Sequence, residues 1–150
     1  MKSKARAVVI GGGVVGVSTL YHLAAKGWDD SILLERKSLT SGSTWHAAGL
    51  LPLFNMSYSV GQIHKYSVRF YQELQDETGM DVGFRKVSNI RLASTQDRMD
   101  EYLQYKGVAD TIGVEVNVLS PQEIKDCWPL VSTENLIGAI QHPEDGYIQP

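Results

Sequence analysis

The amino-acid sequence predicts an α/β fold that starts with a parallel pair of strands, and three observations predict it. Residues 5–10 form a short apolar run rich in valine and isoleucine, which stops at glycine. A stripe of apolar residues with helical spacing follows, and residues 31–35 are a second short apolar run. Strand, glycine-rich turn, helix and strand in this order make one βαβ unit.

The helix of this unit is predicted from four apolar residues at i, i+3, i+4 and i+7, namely Val17, Leu20, Tyr21 and Ala24. This spacing places them on one face of a helix. Gly27 supplies the left-handed residue that ends helices. The two apolar runs beside the helix have the length and composition of buried parallel strands.

After this unit the pattern changes. Residues 41–49 are small, polar and punctuated by glycine, which predicts an ordered loop outside regular structure. Apolar positions with helical spacing over residues 60–74 predict a long helix that closes at Gly79. Strands are expected at residues 89–93, 114–119 and 136–141.

Two further helices are predicted from their first residues. Ser94 and Asp97 resemble a capping box for a helix through Ile112. Ser120, followed by proline and then by glutamate three residues after the serine, has the pattern of a short helix start. Only one βαβ unit is visible, whereas a doubly wound sheet needs several, so the sheet is predicted to be incomplete.

Composition excludes some classes of function. With 14 basic and 17 acidic side chains the net charge is −3, which provides no positive field for nucleic acid or anionic lipid.

No transmembrane span is expected. Lys2, Lys4 and Arg6 before the apolar stretch of residues 8–20 imitate a signal peptide, but the glycines at residues 11–13 make a poor signal helix. The single cysteine, Cys127, is interpreted as a packing residue. The expected location is the cytoplasm, or the mitochondrial matrix in a eukaryote.

The glycine-rich turn, GGGVVG, carries the first functional motif. Glycines allow a tight turn and let a diphosphate approach the backbone, where free amides and the helix dipole attract it. An acidic residue, Glu35, ends the second strand 19 residues after the last glycine, where it can accept hydrogen bonds from an adenosine ribose. The predicted dinucleotide contacts are Gly11, Gly13, Val14, Val15, Gly16, Glu35 and Arg36. The alternative is a glycine-rich turn that binds nothing, with Glu35 as a solvated charge.

The glycine-rich turn alone fits either FAD or NAD, and the second motif, SGSTWHAAGL at residues 41–50, favours FAD. It closely resembles a loop of the dimethylglycine and sarcosine dehydrogenases, which belong to the glycine oxidase and D-amino-acid oxidase superfamily. In that family the histidine is bonded covalently to FAD, and His46 matches it. The alternative is that His46 is a hydrogen-bonded loop residue under noncovalent FAD. The loop contributes the remaining predicted contacts, Ser43, Thr44, His46, Ala47, Ala48, Gly49 and Leu50.

The resemblance extends over nearly the whole chain, including Arg91-Leu92-Ala93 and Pro143-Glu144-Asp145-Gly146. Relatives often carry Gly-Ser where this chain has Ser88-Asn89, which questions one local turn. The resemblance implies a Rossmann-like FAD/NAD(P)-binding domain of the D-amino-acid oxidase type. Residues 1–150 would be its amino-terminal part, with the start of an inserted α+β substrate region. The missing strands, and a folate-binding domain where one exists, would lie beyond Pro150.

The resemblance also implies a reaction. The whole enzyme would oxidise a small N-methylated amino acid, dimethylglycine or sarcosine, by hydride transfer to FAD, and tetrahydrofolate could capture the product. An electron-transfer flavoprotein or the respiratory chain would be the acceptor. No catalytic residue is identified from the sequence. No metal site is expected, because His22, His64 and His142 have no partner at ligand spacing.

Two alternatives to a dehydrogenase remain open at this point. One is a non-catalytic regulatory protein of the same fold, similar to the regulatory subunit of pyruvate dehydrogenase phosphatase. The pair Trp45-His46 favours the enzyme over this alternative. The other is an amine oxidase that uses oxygen directly.

Overall fold

A computed structural model describes residues 4–150, so Lys2 of the signal-peptide alternative lies outside the described residues. The chain divides into two compact units. The first comprises the described residues up to Ala48 together with Pro150, and the second is Gly49–Gln149.

The first unit contains the predicted βαβ arrangement. Strand β1 (Ala7–Ile10) leads into helix α1 (Val14–Ala25), and strand β2 (Ser31–Leu34) follows. The two strands are parallel, with Val9 paired to Leu33. β1 begins two residues later than the sequence predicts and β2 stops just before Glu35. The order and direction of the elements are as predicted.

Glycine is required at two points of the turn between β1 and α1. Gly11 has a backbone φ of 107°, which residues with a side chain rarely adopt. A Cβ atom on Gly16 would lie 1.9 Å from the carbonyl oxygen of Gly11. The close approach of the first helical turn to the strand end therefore depends on these two residues.

The segment predicted as a loop between residues 41 and 49 contains one turn of 3-10 helix, Ser43–His46. The prediction of a segment without regular structure was therefore wrong for these four residues. Short 3-10 turns leave little trace in a sequence because they have no apolar periodicity.

The first unit also exposes much apolar surface. Ile10 is 85% exposed and Val8 is 50% exposed, and both point to the same face of the strand pair. No residue of α1 is buried. Parallel strands are normally covered on both faces, so this unit presents the kind of surface that a larger doubly wound sheet buries.

The second unit contains helix α2 (Tyr58–Thr78), helix α3 (Gln96–Ile112) and helix α4 (Pro121–Cys127). Its larger sheet is antiparallel in the order β5, β7, β6. A smaller antiparallel sheet has the order β3, β8, β4. The strands are β3 (Leu50–Leu51), β4 (Arg85–Lys86), β5 (Asn89–Ala93), β6 (Asn117–Leu119), β7 (Gly138–His142) and β8 (Gly146–Tyr147).

The helix ends show where the sequence prediction succeeded. Gly79 adopts the left-handed conformation after α2, with a φ of 68°. Ser120 and Glu123 form the predicted capping box of α4. The predicted cap of α3 was wrong by one residue: the hydroxyl of Thr95, rather than that of Ser94, accepts the Arg98 N–H.

Strand boundaries were less well predicted. β5 matches its prediction, whereas β6 begins at Asn117 instead of residue 114, and β7 is displaced to Gly138–His142. The three strands of the smaller sheet were not predicted, because two-residue strands show no alternation of apolar and polar residues.

Cys127 is exposed, so its interpretation as a packing residue was wrong.

The core of the second unit forms where α2 and α3 cross and where α3 packs on β7. A Cβ atom on Gly61 of α2 would lie 2.3 Å from Cδ1 of Ile112. Only glycine at this position lets the two helices approach so closely without a shift of Ile112. The buried cluster comprises Leu53, Val68, Ala93, Met99, Tyr102, Tyr105, Ala109, Ile112, Val114, Val116 and Ile140.

Asp145 joins three segments of the second unit. Its Oδ1 accepts the Leu53 N–H at 2.9 Å. Its backbone carbonyl accepts the N–H groups of Val87 and Ser88 at 3.1 and 2.9 Å. Ser88 has a φ of 68°, which is the left-handed backbone that glycine favours.

No helix within residues 4–150 has both the length and the apolar character that crossing a bilayer requires. The same described part of the chain has no cluster of three or more histidine, cysteine or acidic side chains arranged for a metal ion.

Candidate functional site

The glycine-rich turn is tied to the end of β2 by backbone amides. The Gly11 N–H donates to the carbonyl of Leu34 at 2.8 Å. The Gly12 N–H donates to Oε2 of Glu35 at 2.7 Å. The predicted ribose acid and the predicted phosphate turn therefore meet directly.

Both carboxylate oxygens of Glu35 accept backbone hydrogen bonds. Oε1 accepts the Lys37 N–H at 2.8 Å, complementing the Gly12 contact at Oε2. The hydrogen bond from Gly12, followed by that from Lys37, lowers the pKa of Glu35 below its ordinary value of 4.5. Glu35 is thus an oriented, ionised acceptor, and each oxygen retains a lone pair for a further donor. Arg36, the next predicted contact, is exposed.

The start of α1 faces a hydroxyl from the second motif. Oγ1 of Thr44 accepts the Val14 N–H at 3.0 Å, although the two residues are 30 positions apart. Gly13 at the helix cap offers no side chain, and a Cβ there would lie 3.1 Å from Oγ1 of Thr44. The Thr44 proton remains available for donation, since the oxygen acts here as an acceptor.

These features fit a diphosphate. The first turn of a helix leaves amide N–H groups without intrahelical acceptors, and it carries the positive end of the helix dipole. Val15 in this turn is an exposed residue. Side chains on Gly13 and Gly16 would obstruct the turn, which is a backbone cradle that a Cβ atom would fill.

His46 ends the 3-10 turn and is held by two contacts. Its Nδ1 lies 3.1 Å from the carbonyl oxygen of Gly42. Its ring centroid lies 3.7 Å from that of Trp45, with 36° between the ring planes. Because a carbonyl only accepts hydrogen bonds, a hydrogen bond at this contact requires the proton on Nδ1, and in the neutral ring this tautomer has its lone pair on Nε2.

The remaining predicted residues take no part in these contacts. Ser43 begins the 3-10 turn, and Ala47 and Ala48 follow it, all three exposed. Gly49 and Leu50 belong to the second unit. There Gly49 has a φ of 70°, and Leu50 pairs with Tyr147 in the smaller sheet.

Sequence reasoning did not assign a role to Gly12 or Gly42, although both make contacts of the site. Gly12 is buried and receives the Thr40 N–H on its carbonyl at 2.9 Å. Gly42 contributes the carbonyl that faces His46. The triple glycine hinted at the first, whereas no sequence pattern indicates which carbonyl a loop histidine will contact.

One protein family matches almost the whole chain, including the residues of this candidate site. A family described as "FAD dependent oxidoreductase" (DAO) matches residues 6–150. The match therefore includes the glycine turn, Glu35 and the His46 loop in one alignment.

Individual relatives also match over nearly the whole of this chain. The chain is 41% identical to rat mitochondrial dimethylglycine dehydrogenase, over 99% of this chain and 17% of that protein. It is also 41% identical to human mitochondrial sarcosine dehydrogenase, over 100% of this chain and 16% of that protein. Identity to the mouse pyruvate dehydrogenase phosphatase regulatory subunit is lower, 34% over 99% of this chain and 17% of that protein. The chain thus spans about one sixth of the length of these curated relatives.

Among solved structures, L-proline dehydrogenase from P. horikoshii superimposes with a TM-score of 0.88 at 25% identity. The superposition covers 100% of this chain and 39% of that one. The incomplete α/β architecture predicted from the sequence is therefore that of a recognised fold, of which this chain holds less than half.

Proposed function

This chain belongs to the family of FAD-dependent oxidoreductases, and on that premise we propose that it is the amino-terminal part of an amine dehydrogenase for a small N-methylated amino acid. Dimethylglycine and sarcosine are the substrates named for relatives at 41% identity. The observation that carries the proposal is the joined cradle in the first unit, where Gly12 contacts Glu35 and Val14 contacts Thr44.

Each part of the cradle has a role toward FAD. The amides of residues 11–16 and the start of α1 would bind the diphosphate. The Thr44 hydroxyl would donate to a phosphate oxygen while it accepts the Val14 N–H. Glu35 would accept hydroxyl protons of the adenosine ribose. Arg36, Ser43, Ala47 and Ala48 are proposed as further contacts along the same cofactor.

His46 is proposed to form the covalent link to FAD. Since its Nδ1–H faces the Gly42 carbonyl, Nε2 has the lone pair that a new bond requires. His46 is an exposed residue. Bound FAD would accept hydride from the substrate's N-methyl carbon, leaving an iminium that water hydrolyses to formaldehyde or that tetrahydrofolate captures.

The rest of the protein would complete the fold. The exposed apolar face of Val8 and Ile10 supports further strands and helices beyond Pro150, as a doubly wound sheet requires. Substrate-binding residues, the site of the electron acceptor and any folate-binding domain would lie there too. Relatives named as mitochondrial support the matrix as the location if the source is eukaryotic.

The test is the flavin content of the full-length protein. We expect denaturing-gel fluorescence and intact mass to show flavin attached to the wild type and absent from His46→Ala. His22→Ala is a matched control, because His22 is another histidine of the first unit whose Nδ1 contacts a backbone carbonyl, that of Ser18. A native protein that carries no flavin at all would contradict the enzymatic proposal, and noncovalent FAD would contradict only the link.

Two alternatives are separated by assay. A regulatory protein would show no turnover with any N-methylated amino acid, whereas the dehydrogenase should reduce an artificial dye in the presence of its substrate. An oxidase would turn over with oxygen alone. The lower identity to the regulatory subunit supports the enzyme.

A further inference from the structure

We infer that the larger sheet of the second unit binds one ordered water molecule between the side chains of Asn89, Arg91 and His142. The inference does not depend on FAD, because all three residues lie in the second unit, outside the proposed cofactor cradle. Its basis is three buried polar atoms that have no hydrogen-bond partner among the described residues. They are Oδ1 of Asn89, Nε of Arg91 and Nδ1 of His142.

The register of β5 and β7 places the three side chains on one face of the sheet. Asn89 lies directly opposite His142, and Arg91 lies opposite Ile140. Directly paired residues point to the same face, and so do residues two positions apart in a strand. Oδ1 and Nδ1 are the same number of bonds from the backbone, and Nε is one bond further. The three atoms can therefore reach similar heights above the strands.

Phe54 contacts two of these side chains. Cζ of Arg91 lies 4.2 Å from the centroid of the Phe54 ring. The ring of His142 meets the same ring edge to face, with 6.2 Å between the centroids. Arg91 and His142 are diagonal neighbours across the two strands, a separation that a long side chain can span. The shared contact with Phe54 supports the convergence of their polar atoms.

The neighbours of His142 determine which of its ring nitrogens carries the proton. Nε2 lies 3.0 Å from the hydroxyl of Tyr105, and this hydroxyl lies 3.2 Å from the carbonyl oxygen of Leu53. Because the carbonyl only accepts, the hydroxyl donates to Leu53 and accepts the Nε2–H of His142. Burial lowers the pKa of His142 to about 4, so the ring is neutral at neutral pH and Nδ1 has the lone pair.

The three unpartnered atoms cannot all satisfy one another. Nε of Arg91 carries one proton, whereas Oδ1 of Asn89 and Nδ1 of His142 are both acceptors. A direct contact would therefore leave one acceptor unpaired. A water molecule accepts the Nε–H proton and donates one proton to each acceptor. It then makes three hydrogen bonds, the typical number for a buried water.

One alternative requires no water. If the Asn89 amide were rotated by half a turn, its Nδ2–H could donate directly to Nδ1 of His142. Nε of Arg91 would then compete with this amide for a single lone pair. One buried donor would remain without an acceptor, which is unfavourable. The water satisfies every group, so we favour it over the rotated amide.

The test is a crystal structure of the full-length protein at a resolution that shows ordered water. We expect a density peak about 2.7–3.2 Å from each of the three atoms, the normal range of hydrogen bonds. Neutron diffraction from crystals grown in heavy water would locate the deuterons. Those of the water should point to Oδ1 of Asn89 and Nδ1 of His142, and the ring of His142 should carry its own deuteron on Nε2.

A variant tests the contribution of Asn89. Asn89→Leu removes the acceptor at nearly constant size, and we expect the water peak to be lost. Asn117→Leu is the matched control, because Asn117 also lies beside β7 but donates from Nδ2 to Oε1 of Gln141 at 3.3 Å. Gln141 precedes His142 in the strand, so this contact lies on the other face of the sheet. The control should retain the peak.

A wild-type map without the peak would overturn the inference. A deuteron on Nδ1 of His142, or a direct contact between this atom and Nδ2 of Asn89, would also overturn it. The same holds for a direct pair between Nε of Arg91 and Asp145, whose Oδ2 also has no partner among the described residues. A peak that persists in Asn89→Leu would exclude Asn89 as a ligand and overturn the three-residue site. The wild-type maps decide the question even if a variant fails to fold.

Discussion

At the scale of single residues, Glu35 shows how a side chain acquires its role from its neighbours. The sequence predicted an acid at the end of β2, and the structure adds that its carboxylate already accepts two backbone amides. These hydrogen bonds fix the orientation of the carboxylate relative to the glycine turn. An acceptor that is oriented before FAD binds loses less entropy on binding.

Replacing Glu35 tests this role. Glu35→Gln retains one oxygen that can accept the Gly12 N–H, but it loses the charge and one acceptor. We expect FAD affinity to fall by about tenfold, the typical value of a hydrogen bond to a charged group. Equilibrium dialysis of the full-length protein against FAD would measure it. The matched control, Glu101→Gln, changes an exposed acid of α3 that pairs with Arg98 and should leave affinity unchanged. Equal affinity in both variants would exclude Glu35 as a ribose ligand.

Asp145 and His142 provide a second prediction at this scale. Burial raises the pKa of Asp145 from 3.8 to about 6. The hydrogen bond from the Leu53 N–H and the charges of Arg91 and His64 lower this pKa, but their effect is smaller than that of burial. Burial, followed by the charge of Arg91, lowers the pKa of His142 from 6.5 to about 4. His142 Nε2 contacts the Tyr105 hydroxyl at 3.0 Å.

The signs of these two shifts oppose each other. Folded Asp145 holds its proton more tightly than the unfolded chain does, so its contribution to stability is lost as pH rises from 3.8 to about 6. Folded His142 binds a proton more weakly, so its contribution is lost as pH falls from 6.5 to about 4. In the wild type the two contributions should largely cancel over this window.

Variants would expose each contribution. Relative to the wild type, Asp145→Asn should become more stable as pH rises from 4 to 6.5, and His142→Gln should become less stable. Urea unfolding followed by the fluorescence of Trp128, the tryptophan of the second unit, gives the free energy of unfolding at each pH. Parallel pH profiles for all three proteins would contradict the shifts.

At the scale of elements, the sequence predicted what local chemistry determines. Three glycines and an apolar helix stripe specify the βαβ unit, and the Ser120–Glu123 box specifies the start of α4. The contact between Thr44 and Val14 was not predictable, because 30 residues separate a loop hydroxyl from the amide that it contacts. The smaller sheet was missed for a similar reason, since its two-residue strands are defined only by distant partners.

The crossing of α2 and α3 gives a prediction for an element. Gly61→Ala would place a Cβ atom 2.3 Å from Cδ1 of Ile112, so the helices must separate or Ile112 must change rotamer. We expect a loss of about 1–3 kcal/mol in the free energy of unfolding, as for other overpacked cores. Gly107→Ala is the control in α3, where a Cβ meets nothing within 4 Å. It should instead stabilise the protein by about 1 kcal/mol.

A double variant identifies the cause. Ile112→Val removes the Cδ1 atom that the new methyl group would meet, so Gly61→Ala should cost less in that background. Strictly additive free energies would show that the loss arises elsewhere in α2.

At the scale of the whole molecule, the two units differ in how much core they have. The buried apolar cluster lies in the second unit, whereas α1 in the first contributes no buried residue. The chain covers 39% of the L-proline dehydrogenase structure that it matches. The single βαβ unit in the sequence predicts further strands, but the exposed fraction of each strand could not be predicted from the sequence.

Hydrogen exchange of the 150-residue chain tests this difference. Amides of β1 and β2 should exchange much faster than those of β5 and β7, because little buried surface protects them. In the full-length protein the same amides of β1 and β2 should become protected, as further strands cover Val8 and Ile10. Equal protection of both units in the 150-residue chain would mean that the first unit is stable without the rest of the sheet.

The most direct test of the proposed cofactor site is an experimental structure of the full-length protein purified with its own flavin. We expect the diphosphate to lie on the amides of residues 11–16, the ribose on Glu35, and the isoalloxazine to be joined to Nε2 of His46. A flavin bound elsewhere, or a glycine turn blocked by another part of the protein, would contradict it.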